Sequence, residues 1–182
     1  AGLNILVGEN GQGKTNWLEA IALVASTRSF RTTKLQEAVR FGEQLAIVSA
    51  MVEESPEITR KLQVSIQGNT KALTVNDKKE TVQRYLGQLH AVVFNADELE
   101  IVRGQPDARR RFLDAGIVSL HPPFIQTFTD YSRVVKQKNA PLQRARDEES
   151  SVEKTAELLA PWNEQLASLA SRIHRARVRF VE

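Results

Sequence analysis

The segment GENGQGKT, from Gly8 to Thr15, constrains this chain more than any other part of its sequence. It satisfies the pattern G-x-x-x-x-G-K-[ST] completely, with the apolar run LNILV before it and the helix pattern NWLEAIALVA after it. A strand, a glycine-rich loop and a helix in this order are typical of a phosphate-binding loop. The sequence therefore predicts an α/β fold with a phosphate loop near its first residues.

The residue types of this segment suit the binding of a polyphosphate. Glycines lack a Cβ atom, so the backbone can adopt positive φ and turn its N–H groups around an anion, which then lies at the N-terminus of the following helix. We expect Lys14 to reach the β and γ phosphates of ATP and the Thr15 hydroxyl to bind Mg²⁺. The predicted nucleotide-binding residues are contiguous: Gly8, Glu9, Asn10, Gly11, Gln12, Gly13, Lys14, Thr15 and Asn16. The alternative is a glycine-rich turn that binds nothing.

Composition sets the outer limits of the fold and its location. The chain has 182 residues, of which 41% are hydrophobic, and this suits one domain or one domain with an appendage. No apolar run approaches the ~18 residues of a membrane helix, and the absence of cysteine excludes disulfides and thiolate metal sites. We expect a cytoplasmic protein without a membrane partner.

The pattern along the chain changes once, near residue 105. Strand-like runs lie before that point, at residues 3–7, 44–52, 61–66, 71–75 and 89–94. The dipeptides Gly68-Asn69 and Asn76-Asp77 are turn formers, so residues 61–75 are predicted to form a hairpin. Helical patterns follow Pro106. We therefore predict a head at 1–105 and a helical arm at 106–182.

The arm carries two heptad seams, in which apolar positions alternate in steps of three and four. One comprises Val152, Thr155, Leu159, Trp162, Leu166, Leu169, Ile173, Ala176 and Phe180; the other comprises Phe124, Phe128, Tyr131, Val135, Lys138 and Leu142. The sequence predicts two antiparallel helices packed as a coiled-coil-like hairpin, each about 35–40 Å long. Pro141 and Pro161 are expected to kink them. A compact helical bundle is the alternative.

The stretch LHAVVFNADELE leaves two interpretations of Asp97 open. An apolar strand that ends in acidic residues holds Mg²⁺ in many phosphate-loop ATPases, but Asn95 and Ala96 separate Asp97 from the strand-like run. Asp97 could equally cap the helix that follows. The three histidines are isolated in the sequence, and no residue is predicted to be catalytic.

Four blocks of the chain together resemble the RecF family of bacterial recombinational repair ATPases, of the ABC and SMC-like class. They are GLNILVGENGQGKTNWLEAI, RSFRT, VVFNADELEIVRGQPDARRRFLD and DYSRVVKQKNA, in the order of that family. The resemblance implies part of an ABC-type ATPase head from which a helical arm emerges. It also implies a signature motif, an Asp-Glu strand and a switch region that this chain does not contain, so we expect both ends to be truncated and the chain itself not to hydrolyse ATP.

The resemblance implies ATP-dependent DNA binding in recombinational repair, replication restart and the SOS response to DNA damage. In this family ATP joins two heads into a homodimer that clamps DNA at duplex and single-strand junctions, and RecO and RecR help to load RecA. The residues alone leave two other classes open. A small phosphate-loop kinase or other NTPase would use the same loop, and a helical scaffold would use only the arm.

The basic residues of the arm are the candidates for DNA contact. They form two sets: Arg109, Arg110 and Arg111 at the start of one predicted helix, and Arg172, Arg175 and Arg179 on one face of another, with Lys136 and Lys138 on its partner. Alternatively, Arg110 pairs with Asp114, the stem of Arg109 packs against its surroundings, and the remaining arginines are solvated surface.

Overall fold

The computed structural model describes residues 2–148 and 151–182, with Asp97 described by its backbone alone. Contacts divide the chain into two units, residues 1–99 and 100–182. The short helix Glu100–Arg103 lies before the predicted boundary at residue 105 but packs within the second unit. The assignment of domains 1–105 and 106–182 stays a prediction. None of the helices in the described ranges is long and apolar enough to cross a membrane.

The first unit combines one long helix with an antiparallel sheet. Helix α1 spans Lys14–Ser26 and α2 spans Val82–Tyr85; the strands are β1 (Leu45–Ser55), β2 (Ile58–Gln67), β3 (Thr70–Val75) and β4 (Lys78–Lys79). Two 3₁₀ helices, Leu35–Ala38 and Ala96–Leu99, complete the unit. The strands lie in the order β1-β2-β3-β4, and every neighbouring pair is antiparallel.

The turn dipeptides of the sequence connect these strands as predicted. Gly68, with φ of 55°, and Asn69 separate β2 from β3, so the hairpin prediction is confirmed. Asn76 and Asp77 have φ values of 50° and 62°, which Asn and Asp tolerate better than other residues with a Cβ. Asn76 also binds β2 twice, because its N–H donates to the Lys61 carbonyl and its Oδ1 accepts from the Lys61 N–H, each at 2.8 Å.

The core of the first unit lies between α1 and one face of the sheet. Alternate residues of β2 point to the same face, and Leu62, Val64 and Ile66 are fully buried there. They pack with Leu23 and Val24 of α1, and the same cluster includes Leu73 and Tyr85. The packing fixes α1, and with it the loop that precedes this helix.

Two predicted strands are absent from the described residues. Residues 3–7 and 89–94 have no strand partner and are largely exposed, with Val7 at 89% and Val92 at 97%. An extended segment becomes a strand only when a neighbour satisfies its N–H and C=O groups, and no described residue provides that ladder. The sequence-based assignment of strands to these two runs is therefore wrong for this structure.

The second unit is helical, and its two long helices pack against each other. It contains α3 (Glu100–Arg103), α4 (Pro106–Leu120), α5 (Phe124–Asp147) and α6 (Val152–Val181). Ser151 caps α6, since its hydroxyl accepts from the Lys154 N–H at 3.4 Å. Seam residues of α6 from Thr155 to Phe180 are buried or half-buried, whereas Val152 is exposed. The seam predicted for α5 is partly wrong, because its buried residues are Thr127, Val134 and Ala145, while the predicted seam residue Leu142 is exposed. The helical hairpin is confirmed.

Helix α4 packs against both long helices, which the seams alone did not predict. The 24 residues of α5 and the 30 residues of α6 correspond to about 36 and 45 Å. Pro141 and Pro161 both lie inside these helices. The arm is thus an antiparallel hairpin to which a third helix is added.

Candidate functional site

The phosphate loop connects an irregular segment to the first turn of α1. Gly13 is the N-cap of the helix with φ of 81°, and Gly11 has φ of 83°. Both values lie in the left-handed region, where a residue with a Cβ is strained. No heavy atom lies within 4 Å of a Cβ built on Gly11. Backbone conformation rather than crowding therefore requires glycine there.

The loop leaves several backbone donors without an acceptor. The first helical hydrogen bond runs from the Trp17 N–H to the Gly13 carbonyl at 3.1 Å. Within the described part of the chain, the N–H groups of Lys14, Thr15 and Asn16 donate to no backbone or side-chain acceptor. Unpaired donors and the positive end of the helix dipole favour an anion. The site is consequently suited to a phosphate group.

Lys14 folds back over its own loop. Its Nζ donates to the Gly8 carbonyl at 2.7 Å and to the Glu9 carbonyl at 2.6 Å. An ammonium group has three donors, so one remains for an oxygen outside the loop. Lys14 thus joins the two ends of the loop and places a positive charge inside it.

The other predicted ligands belong to the exposed part of the loop and to the first turn of α1. Asn10, Gly11, Gln12, Thr15 and Asn16 are exposed, and Thr15 lies in the first turn of α1 beside Lys14. A hydroxyl oxygen in that position is of the type that Mg²⁺ accepts as one of its oxygen ligands. No group of three or more His, Cys, Asp or Glu side chains that could hold a metal ion exists among the described residues. The residues fit a polyphosphate and supply one candidate Mg²⁺ ligand.

A polar network beside the loop was not predicted from the sequence. The Arg31 Nη1 donates to Asn16 Oδ1 at 2.9 Å and to Glu19 Oε2 at 3.1 Å. The Glu19 carboxylate also accepts from the Ser29 hydroxyl, and this hydroxyl accepts from the N–H groups of Arg31 and Thr32. The segment RSFRT is thereby attached to the first turns of α1. No periodicity relates Arg31 to Asn16, so only the block RSFRT signalled this region.

The two interpretations of Asp97 concern its side chain. Its side chain lies outside the described residues. Asn95 performs the capping function at this point, because its Oδ1 accepts from the Glu98 N–H at 3.2 Å at the start of the 3₁₀ helix Ala96–Leu99.

The arginine triplet of α4 is largely engaged within its own unit. Arg109 donates to the carbonyls of Ile101 and Gly104, at 3.5 and 3.3 Å, and so closes the end of α3. Arg110 pairs with Asp107 rather than with Asp114 as the alternative interpretation held. Hydrogen bonding to Arg110 is the main cause of the lowered pKa of Asp107. Arg111 is exposed and has no ion pair with a described residue.

Asp114 has a different partner, which the sequence did not indicate. It forms a two-pronged ion pair with Arg177 of α6, with Nε–Oδ1 and Nη2–Oδ2 distances of 2.7 and 2.8 Å. The Asp114 hydrogen bond raises the pKa of Arg177 further above its already high value. Arg177 is therefore a structural member of the helical unit.

The second predicted basic set differs from the first. Arg172, Arg175 and Arg179 are all exposed, and none forms an ion pair with a described carboxylate. Successive steps of three and four residues place them on one side of α6, away from the seam residue Ile173, which is buried. From Arg172 to Arg179 the stripe extends about 10 Å along the helix axis.

Known proteins with the same sequence pattern are RecF proteins. RecF of Synechococcus sp. (strain JA-3-3Ab), a DNA replication and repair protein, is 41% identical over 182 residues, which cover 98% of this chain and 46% of that protein. RecF of Geobacillus kaustophilus (strain HTA426) is 34% identical over 181 residues, with 99% and 48% covered. The chain thus spans about half the length of these curated relatives. No protein-family model matches it.

Solved structures give the same result for the fold. A structure of the recombination mediator protein RecF-ATPrS in the RecFOR pathway superimposes with a TM-score of 0.85 at 30% identity, covering 96% of this chain and 46% of that one. For RecF-ATP of the same pathway the TM-score is 0.84 at 31% identity, with 94% and 46% covered. The predicted fold class and the resemblance to RecF are therefore confirmed.

Proposed function

We propose that this chain supplies the phosphate-binding loop and helical arm of a RecF-like DNA repair ATPase. In this function the natural protein binds Mg·ATP, two ATP-bound heads associate, and the dimer holds DNA during recombinational repair and replication restart. Cooperation with RecO and RecR in placing RecA on DNA belongs to the same proposal, as does a cytoplasmic location.

The observation that carries the proposal is the set of unpaired donors at the start of α1. The N–H groups of Lys14 to Asn16 and the Lys14 ammonium converge on one loop. This arrangement binds phosphate by hydrogen bonds and by the field of the helix terminus. The similarity to structures of RecF-ATP supports ATP as the source of that phosphate.

Each residue of the loop has a role in this function. Lys14 exchanges one carbonyl contact, or uses its third proton, to donate to a β or γ phosphate oxygen. Thr15 offers its hydroxyl oxygen to Mg²⁺. Bound Mg·ATP supplies the phosphoanhydride and a metal that neutralises its charge. Gly11 and Gly13 maintain the backbone curvature on which all of these contacts depend.

The arginine stripe of α6 supports the DNA part of the proposal. Three exposed guanidinium groups without carboxylate partners among the described residues produce an uncompensated positive surface. Such a surface binds the DNA backbone by releasing condensed counterions. Arg111 is available in the same way, whereas Arg109 and Arg110 would first have to leave their intramolecular partners.

The ATP part is tested by calorimetry on the natural full-length protein. Lys14→Ala removes the cation at the centre of the loop, and we expect at least a tenfold loss of Mg·ATP affinity, since a charge-assisted hydrogen bond to phosphate is worth about 1.5–3 kcal/mol. Lys34→Ala is the matched control, because Lys34 is an exposed lysine that pairs with Glu37. Equal affinity of the Lys14→Ala and Lys34→Ala proteins would exclude the proposed nucleotide site.

A further inference from the structure

We propose that Glu19 is a positioning residue for nucleotide binding, since it holds Arg31 beside the phosphate loop with its free donors available to the bound anion. The inference rests on the proposed ATP site and extends it to two residues outside the loop. Glu19 does not itself contact the anion. It acts through Ser29 and Arg31.

Glu19 is in a suitable place to organise the segment after α1. Glu19 and Asn16 are three residues apart, so their side chains lie on the same face of the helix. The Glu19 side chain is only 12% exposed, whereas that of Arg31 is 51% exposed. A carboxylate that is mostly removed from water forms stronger hydrogen bonds than an exposed one. The better-ordered partner of this pair is therefore Glu19.

Glu19 accepts hydrogen bonds from two parts of the same segment. One carboxylate oxygen accepts from the Ser29 hydroxyl and the other accepts from the Arg31 guanidinium at 3.1 Å. Ser29 in turn accepts from the Arg31 N–H at 2.9 Å. Both the backbone and the side chain of Arg31 are therefore fixed by contacts that lead back to Glu19.

The Arg31 guanidinium lies beside the first turn of α1. Its Nη1 lies 2.9 Å from Asn16 Oδ1, and Asn16 follows Thr15 directly. The Asn16 Nδ2 in turn lies 4.0 Å from the position of a Cβ on Gly13. Arg31 thus borders the first turn of α1, where the unpaired N–H groups are.

The Arg31 guanidinium keeps donors that its contacts with the described residues do not use. Among the described residues, Arg31 uses only its Nη1 for side-chain hydrogen bonds, and a guanidinium has five N–H donors arranged in a planar fork. The Nε and Nη2 donors are left for another planar or tetrahedral oxyanion, of which phosphate is a good match. Fixing the side chain beforehand reduces the conformational entropy that is lost when the anion binds.

The sign of a single substitution separates positioning from simple charge. Glu19 carries a negative charge close to a site that we propose binds a polyanion. If it acted only through its charge, Glu19→Ala would strengthen ATP binding, because a repulsion would be removed. If it positions Arg31, Glu19→Ala weakens binding by about tenfold, the value of one charge-assisted contact.

The experiment is a double-mutant cycle in the natural full-length protein, with Mg·ATP affinity measured by calorimetry. We expect Glu19→Ala and Arg31→Ala each to weaken binding, and Glu19→Ala to cause no further loss when Arg31 is already alanine. Glu19→Gln keeps one acceptor oxygen, which can serve Ser29 or Arg31 but not both. Its Mg·ATP affinity should therefore lie between that of Glu19→Ala and that of the wild type. Glu43→Ala, at an exposed glutamate outside the network, is the control and should bind as the wild type does.

The outcomes distinguish this inference from the proposed function. Loss of binding in Lys14→Ala together with unchanged or tighter binding in Glu19→Ala would overturn the role of Glu19 and leave the ATP site intact. Additive losses from Glu19→Ala and Arg31→Ala would also overturn it, since the two residues would then act independently. If the wild-type protein binds no ATP, both the proposed function and this inference fail. Circular dichroism verifies that each variant is folded.

Discussion

Gly116 of α4 lies directly against the ring of Phe180 of α6. A Cβ added to Gly116 would come within 3.0 Å of three ring carbons of Phe180, which is closer than packed atoms approach one another. The missing side chain of Gly116 therefore creates the space into which the last seam residue of α6 fits. This contact fixes the third helix against the hairpin.

Replacement of Gly116 by alanine should consequently destabilise the helical unit. Alanine is the better helix former by about 1 kcal/mol, but the overlap with Phe180 costs about 1–3 kcal/mol of overpacking. We expect a net loss of up to about 2 kcal/mol in the free energy of unfolding, measured by urea denaturation followed by circular dichroism. Ser119→Ala, at an exposed position of the same helix, is the control and should be neutral or slightly stabilising.

The Asp114–Arg177 pair should show measurable coupling. Both side chains are 26% exposed and joined by two hydrogen bonds, so the pair is less screened than a surface pair. In a cycle with Asp114→Asn and Arg177→Gln we expect a coupling free energy of about 1 kcal/mol. The Asp130–Arg133 pair, whose arginine is 63% exposed, should give a smaller value in the same assay. Equal coupling in the two pairs would contradict this ranking.

Tyr85 places a hydroxyl in the core without a hydrogen-bond partner among the described residues. The residue is 1% exposed, so the hydroxyl has lost its hydrogen bonds to water. Tyr85→Phe removes the polar atom and keeps the ring. We expect the free energy of unfolding to stay the same or to rise by about 1 kcal/mol. A fall of more than about 1 kcal/mol in the free energy of unfolding would mean that the hydroxyl has a hydrogen-bond partner in solution.

Burial also raises the pKa of Tyr85 to about 12. Between the usual tyrosine pKa of about 10 and this value, the unfolded chain has released the phenolic proton and the folded chain has retained it. The stability that depends on the neutral phenol is thus complete below pH 10 and is lost as the pH rises towards 12. Urea denaturation from pH 9 to 11 should show a decline in the free energy of unfolding, and Tyr85→Phe should reduce this decline.

The arginine stripe of α6 predicts a salt dependence for DNA binding. The logarithm of the affinity for duplex DNA falls with the logarithm of salt concentration by roughly 0.9 per neutralised phosphate. Replacement of Arg172, Arg175 and Arg179 by alanine should therefore reduce the slope by about 2–3 in the ATP-bound full-length protein. Helicity should persist, because alanine favours helix and the seam residues are unchanged.

A variant with the same change of net charge controls for nonspecific effects. Arg144, Arg146 and Lys154 are exposed near the opposite end of the hairpin, and their replacement by alanine should leave the slope as it is. If the α6 variant keeps both its helicity and the wild-type slope, the stripe is solvated surface and DNA lies elsewhere.

The sequence alone determined those features that depend on local chemistry. The glycines of GENGQGKT and the Asn76-Asp77 turn each specify a backbone conformation, and the heptad spacing of α6 specifies a buried face. Steric restriction and side-chain periodicity act at short range, so these patterns were sufficient to predict the loop, the hairpin of strands and the hairpin of helices.

Tertiary structure decided whatever depends on a partner that is distant in sequence. The apolar runs at residues 3–7 and 89–94 have strand composition but no ladder partner among the described residues, so their composition predicted strands that are absent here. The alternative interpretation paired Asp114 with Arg110, four residues away, whereas Asp114 pairs with Arg177 in the structure. Arg31 reaches Asn16 only because the chain reverses after α1. Each of these contacts requires packing to bring two distant segments together. A local sequence pattern does not specify which distant segment becomes the partner.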